Sequence, residues 1–446
     1  MIDGRATCHK APGMIATWQR HLRLPRGRLA LLRRHLHTSV ERVEVPCRSS
    51  GSITVDFHGV TREPSSEPLL IHIPAFAPSP REPPYLPPFL DSLPTAVINY
   101  RWPGPYAGDQ ALEPVEEEEE EPSDFTTPLH WPTPLHDLLF GYSWIIEHLA
   151  PSCGGRRDIY VHGAYLGATL AASLALTECH RHERFAVRGL IAYNGIYNWT
   201  MFLPDHKINK PTGAGRKIAP SLPPAAAEGT PLHTLREEMP ELFKGPSDLF
   251  DPFASPSLHF QTAGLLVPQS FHHASGITAM VDRMAALGLE GSAADLMPTA
   301  TKPPRRSALV FPPRRSTLTI PETLLLHDTA VMPAAPRKTK AKTTVTSRTA
   351  SRRKLKGNHF AAQAEELGGL MRRSLEKIEL KERMQWDGEF EDMQAEVAAR
   401  VKIVDAGEPV EGQLQMNRFG EDVVRSWLES HMSRSSSSLA SATSSP

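Results

Sequence analysis

The sequence predicts an α/β domain, with a mainly parallel central sheet and helices on both faces. Two observations carry this. Short, almost wholly apolar runs bounded by proline or glycine have the length and content of strands buried on both sides. They alternate with longer runs whose apolar residues recur at three and four, the helical spacing. Strand, helix, strand, helix, strand in that order implies parallel pairing through right-handed crossovers.

The composition bounds the answer. The 446 residues allow three small domains or one large domain with insertions. Hydrophobic residues make up 40%, and the 42 prolines cluster between apolar runs, so parts of the chain stand outside any core. No stretch reaches the ~18 consecutive apolar residues of a membrane-spanning helix. The net charge of −1 gives no global field that would attract nucleic acid. Four cysteines without a Cys-x-x-Cys pair indicate neither a disulfide scaffold nor a structural zinc site.

Residues 1–45 read as a targeting segment. Between Arg5 and Val40 stand seven arginines, one lysine and no acid, interrupted by Met14, Ile15, Trp18, Leu22 and Leu24. That acid-poor, arginine-rich, amphipathic pattern is the one mitochondrial presequences have. Arg34, Leu36 and Ser39 have the spacing of a mitochondrial processing site. A basic tail without targeting function, in a cytoplasmic or nuclear protein, is the alternative.

The domain is expected over 46–430. Ser52 to Phe57 alternates as an outer strand does; Leu69 to Ile73 and Thr95 to Tyr100 are strands joined by a proline-rich connection with a helix-like segment at Tyr85 to Leu93. Pro134 opens a helix marked by Leu138, Leu139, Tyr142, Ile145 and Ile146. Asp158 to His162 is a strand, Gly163 to Gly167 a tight turn, Ala168 to Glu178 a helix, and Val187 to Tyr193 a further strand. Leu324 to His327, a long helix from Phe360 to Trp386, a strand at Ala399 to Val404 and a helix at Phe419 to Glu429 complete the order. Disordered insertions are expected near 103–128 (with the glutamate run Glu116 to Glu121), 204–240, 290–316 and 333–357, and a disordered serine-rich tail over 431–446.

The segment from Asp158 to Ala172 resembles the nucleophile elbow of the α/β-hydrolase fold, Gly-x-Ser-x-Gly, and the order of elements resembles its esterase/lipase-like (fold-3 type) branch. The resemblance spans most of residues 50–430. It implies a serine at the elbow, a glycine-rich oxyanion loop after the third strand, an acid after the seventh strand and a histidine after the last. The sequence departs from each. Its only glycine pairs spaced by four, Gly104/Gly108 and Gly163/Gly167, both enclose tyrosine. Tyr165 therefore stands at the nucleophile position between Gly163 and Gly167, with the Leu166 amide as a surviving oxyanion donor. The oxyanion loop reads Pro74-Ala75-Phe76-Ala77-Pro78. Asp328 is the candidate acid, though it comes early in the sequence for that place. Asp405 to Asn417 contains no histidine.

The expectation is a hydrolase-fold protein without a working triad, acting as a binding or scaffold protein for a small apolar ligand or a protein partner, with no cofactor, metal or nucleic acid. The alternative is an active carboxylester hydrolase with an unconventional centre. Tyr165 reads either as a plug of the old pocket or as a nucleophile, which would need a carboxylate base beside it. His162 reads as a packed residue or a base, Ser173 and Ser143 as helix residues or nucleophiles. His180/His182 and His272/His273 read as surface histidines or metal ligands. Nine Lys/Arg between Arg337 and Lys356 form a solvated loop, or a nuclear signal or a contact for anionic lipid or RNA.

Overall fold

The computed structural model describes residues 40–442 apart from 79–82, 103–129, 152–154, 204, 210–229, 268–302, 330–356, 382–392 and 411–413. The basic segment before residue 40, the glutamate run, His272/His273 and the 337–356 run lie outside the described residues.

Eight strands form one sheet: β1 (Val40–Pro46), β2 (Ser52–His58), β3 (Leu69–Ile73), β4 (Thr95–Asn99), β5 (Arg157–Ala164), β6 (Phe185–Tyr193), β7 (Glu322–Asp328) and β8 (Val401–Gly407). Their spatial order is β1-β2-β4-β3-β5-β6-β7-β8. β2 is antiparallel to both β1 and β4, and every other pairing is parallel. This is the α/β-hydrolase sheet that the resemblance implies. β3 and β5, in the middle, are buried on both faces except at Ala164, as their apolar runs require.

The helices are α1 (Thr133–His148), α2 (Tyr165–Glu178), α3 (Pro231–Glu237), α4 (Met239–Leu242), α5 (Phe360–Ser374), α6 (Met393–Arg400) and α7 (Arg418–Ala442). The connections β4→β5 and β5→β6 cross the sheet in one direction, so right-handed crossovers place α1 and α2 on one face. The β3→β4 connection crosses the other way and covers the opposite face, which it shares with α7. Tyr160 donates from its hydroxyl to the His431 carbonyl at 3.1 Å and packs edge-on against Trp427. Phe89 packs against His162, two residues along the same side of β5.

Several elements differ from expectation. β1 begins at Val40, inside the segment read as targeting sequence; Val43 and Val45 face Val55 and Ile53, while the intervening charges suit an edge strand. The helix expected at Tyr85 to Leu93 is one 3₁₀ turn, Pro88–Leu90, because Pro87 and Pro88 remove the amide donors a longer helix needs. The helix from Phe360 gives way at Leu375 to a π turn (Leu375–Glu379) that keeps Leu375 and Leu380, five apart, both buried. Ala399 and Arg400 close α6, and the strand starts only at Val401. α7 continues into the expected disordered tail, to Ala442, and at the start of that tail His431 and Met432 extend the buried stripe of Trp427 and Leu428. Part of the expected 204–240 insertion is core: Leu232, Leu235 and Met239 are buried, and just beyond it the Leu242 carbonyl accepts from Trp102 Nε1 at 2.9 Å. In the same way, Phe311 within the expected 290–316 insertion is buried and its carbonyl accepts from Ser374 Oγ.

Candidate functional site

β5 runs into α2 with no intervening turn. The strand ends at Ala164 and the helix begins at Tyr165, three residues before the expected Ala168. Tyr165 has φ +48°, a left-handed conformation that costs a non-glycine residue about 1–3 kcal/mol. Contact dictates the two flanking glycines. A Cβ on Gly163 would lie 2.6 Å from the Gly167 carbonyl carbon. One on Gly167 would lie 2.5 Å from the Ile73 carbonyl oxygen and closer still to that of Pro74. The first turn of α2 thus leans directly on the end of β3. Leu166 is the second residue of α2, so its amide is one of those that a helix leaves without an internal acceptor.

The elbow side chain is enclosed. Tyr165 is 1% exposed; its ring stacks on Phe76 at 5.8 Å and meets Tyr193 and Phe360 edge-on at 5.8 and 5.6 Å. Phe76 comes from the loop that carries oxyanion glycines in the resembled family. The Tyr165 hydroxyl accepts from Asn194 Nδ2 at 3.2 Å. The same Nδ2 donates to Asp328 Oδ2 at 2.7 Å, and the Asp328 amide donates back to Asn194 Oδ1 at 3.0 Å. The Tyr193 hydroxyl donates to Asp328 Oδ1 at 2.7 Å.

Asp328, which looked early in the sequence, is the last residue of β7 and lies one side chain away from the elbow. Insertions shift sequence distance, whereas the strand end fixes position. Burial pushes its carboxyl up, opposed by the hydrogen bonds from Tyr193 and Asn194. Asn194 had no sequence signal beyond its place after a strand and before Gly195; like Tyr165 it is left-handed, with φ +49°, which asparagine tolerates better than most residues.

Tyr165, Asn194 and Asp328 have the spatial order of nucleophile, bridge and acid, with a carboxamide as the bridge. A carboxamide nitrogen donates hydrogen bonds but does not take up a proton near neutral pH, so it cannot serve as the general base that an imidazole provides. Residues 360–430 contain no histidine. His327, beside Asp328, directs Nδ1 at the Asp328 carbonyl, and His359 Nδ1 accepts from the Ala362 amide to cap α5.

The other candidates are placed elsewhere. His162 projects to the α7 face, where its Nδ1 lies 2.9 Å from His72 Nδ1 and the rings stack. Ser173 is buried in α2 and donates to the Thr169 carbonyl at 3.2 Å. Ser143 is exposed on α1. His180 Nδ1 pairs with the Thr317 hydroxyl at 2.8 Å. Among the described residues no group of three or more His, Cys, Asp or Glu is placed to hold a metal ion, and no helix is long and apolar enough to cross a membrane.

No protein-family model matches the sequence, and no curated protein does. Among solved structures the chain is similar to carboxyl esterase 2 of the mycorrhizal fungus Tuber melanosporum, at 10% identity over 92% of this chain and 89% of that one, with a TM-score of 0.42. It is similar also to EstE1, a thermophilic carboxylesterase cloned from a metagenomic library, at 16% identity, 49% and 64% coverage and a TM-score of 0.31. The Francisella virulence factor BioJ matches at 10% identity, 89% and 85% coverage and a TM-score of 0.34. The α/β-hydrolase fold rests on the strand order and the elbow themselves.

The buried imidazoles make stability depend on pH. Burial lowers His162 from 6.5 to about 4, and lowers His72 well below 6.5. Between those values the unfolded chain binds protons that the folded chain does not. The contribution of these two imidazoles is therefore fully present above pH 6.5 and is lost as the pH drops toward 4, by on the order of 3 kcal/mol for His162 alone. Urea-unfolding midpoints across this range check it, and His162→Phe should make the decline shallower. Equal slopes for wild type and variant would contradict the assignment.

Proposed function

We propose that this chain is an α/β-hydrolase-fold protein without serine-hydrolase activity, working as a binding or scaffold protein. The observation that carries the reading is the Asn194 carboxamide between the Tyr165 hydroxyl and the Asp328 carboxylate, where proton transfer requires a base. Three further features support it. The elbow carries tyrosine, whose oxygen stands a ring's length beyond the point a serine oxygen would occupy. The ring is buried under Phe76 and Phe360. The loop after β3 presents proline, alanine and phenylalanine in place of glycines.

Restoring the alcohol does not restore a base. Tyr165→Ser is expected to hydrolyse p-nitrophenyl acetate no faster than wild type. Turnover well above the wild-type level would instead support an esterase with an unconventional centre.

The protein acts, on this reading, in mitochondria. The acid-free, arginine-rich segment supports it, as does the processing-like spacing of Arg34, Leu36 and Ser39. A fluorescent protein fused behind residues 1–45 is expected to co-localise with a mitochondrial marker; diffuse or nuclear fluorescence would refute the address.

A further inference from the structure

The α7 face of the sheet holds a cavity of about 330 Å³, on the opposite side of β5 from the helix that follows the elbow, and it reaches the elbow's surroundings at Phe76, Ala164 and Tyr193. That volume is within the range of small-molecule sites. It exists because the β3→β4 connection is proline-rich: one 3₁₀ turn lies where a full crossover helix would cover the sheet. Its walls are apolar and stiff, with Pro74, Pro87, Pro88 and Phe89 from that connection and Leu414 and Met416 from the loop before α7.

Its sheet side carries His72 and His162. Their hydrogen bond uses Nδ1 of each ring, so one ring donates and the other accepts. The donating ring has a bare Nε2, and the accepting ring carries its proton on Nε2. His162 Nε2 has no hydrogen-bond partner, although the residue is only 2% exposed. A buried polar atom left unmet costs about 1–3 kcal/mol, which a ligand group can recover.

The charges on the walls select against an anion. Arg42 is engaged by Asp56, Nε to Oδ1 at 2.6 Å and Nη2 to Oδ2 at 3.0 Å, and Asn99 donates to the same carboxylate at 2.8 Å. Glu421 adds a negative charge to the lining. Burial keeps both imidazoles neutral. A hydroxyl fits such a site because it both donates and accepts, and so pairs with His162 Nε2 in either tautomer. A carbonyl pairs with only one tautomer.

We propose that this cavity binds a neutral, largely apolar molecule that carries a hydroxyl, with its oxygen against His162 Nε2. The site deepens the binding reading above by giving the ligand a place and a chemical class, and it rests on the elbow pocket being closed.

The test is fluorescence titration of the full-length protein with naphthol, alongside methylnaphthalene of similar shape and anionic naphthoate. Saturable naphthol binding near one per chain is expected, tighter than either analogue. His162→Phe should weaken naphthol about tenfold, the worth of one hydrogen bond, and so narrow or abolish its advantage over methylnaphthalene. Ala77→Trp, which fills the cavity from its lining, should abolish both, and circular dichroism of each variant checks folding. Three results would overturn the proposal: no saturable naphthol binding to wild type, an undiminished affinity in folded His162→Phe, or tighter binding of naphthoate. Hydrolysis of p-nitrophenyl acetate by the same samples would refute the non-catalytic reading separately, leaving the naphthol result to be judged alone.

Discussion

The contact between the first turn of α2 and the end of β3 governs the rest of the structure. Because no side chain fits at Gly163 or Gly167, the chain can pass from strand to helix within a single residue. That residue is forced into a left-handed backbone and its side chain is directed at the ends of β6 and β7. Whatever amino acid stands there meets Asn194 and, through it, Asp328. In a hydrolase this geometry presents a reactive oxygen; here it buries a phenol.

Magnitudes explain why the strained arrangement persists. The left-handed backbone at Tyr165 costs about 1–3 kcal/mol. A tyrosine ring buries on the order of 150–250 Å², worth about 4–6 kcal/mol at most. The ring's packing against Phe76, Tyr193 and Phe360 therefore outweighs the strain, and it does so only while the pocket stays shut. A serine in its place would keep the strain and lose most of the compensation. The strain at this elbow is thus offset by packing. The hollow on the other face follows from a separate constraint. Crossover handedness sends the β3→β4 connection to the α7 side, and its prolines cannot form the helix that would fill it.

Much of this was legible in the sequence. The glycine spacing, the apolar runs and the helix periodicity are local signals, and each maps onto an element of the sheet. Tyr165 at the elbow could be read directly, as could the absence of a histidine from Asp405 to Asn417. Three things could not. Asn194 acquires its role from the end of β6 meeting the end of β7, a contact between residues more than a hundred positions apart. Asp328 looked misplaced because insertions stretch the sequence between strands without moving strand ends. The pairing of His72 with His162 depends on the β3–β5 register, and neither run of residues announces which strand lies beside it.

The central claim is that no activated alcohol remains at the elbow. Incubating the full-length protein with a fluorophosphonate probe, then quantifying and mapping the adduct by mass spectrometry, addresses it most directly. No stoichiometric adduct is expected at any serine, and none at Tyr165. One probe per chain on a single residue, abolished by prior denaturation, would contradict it.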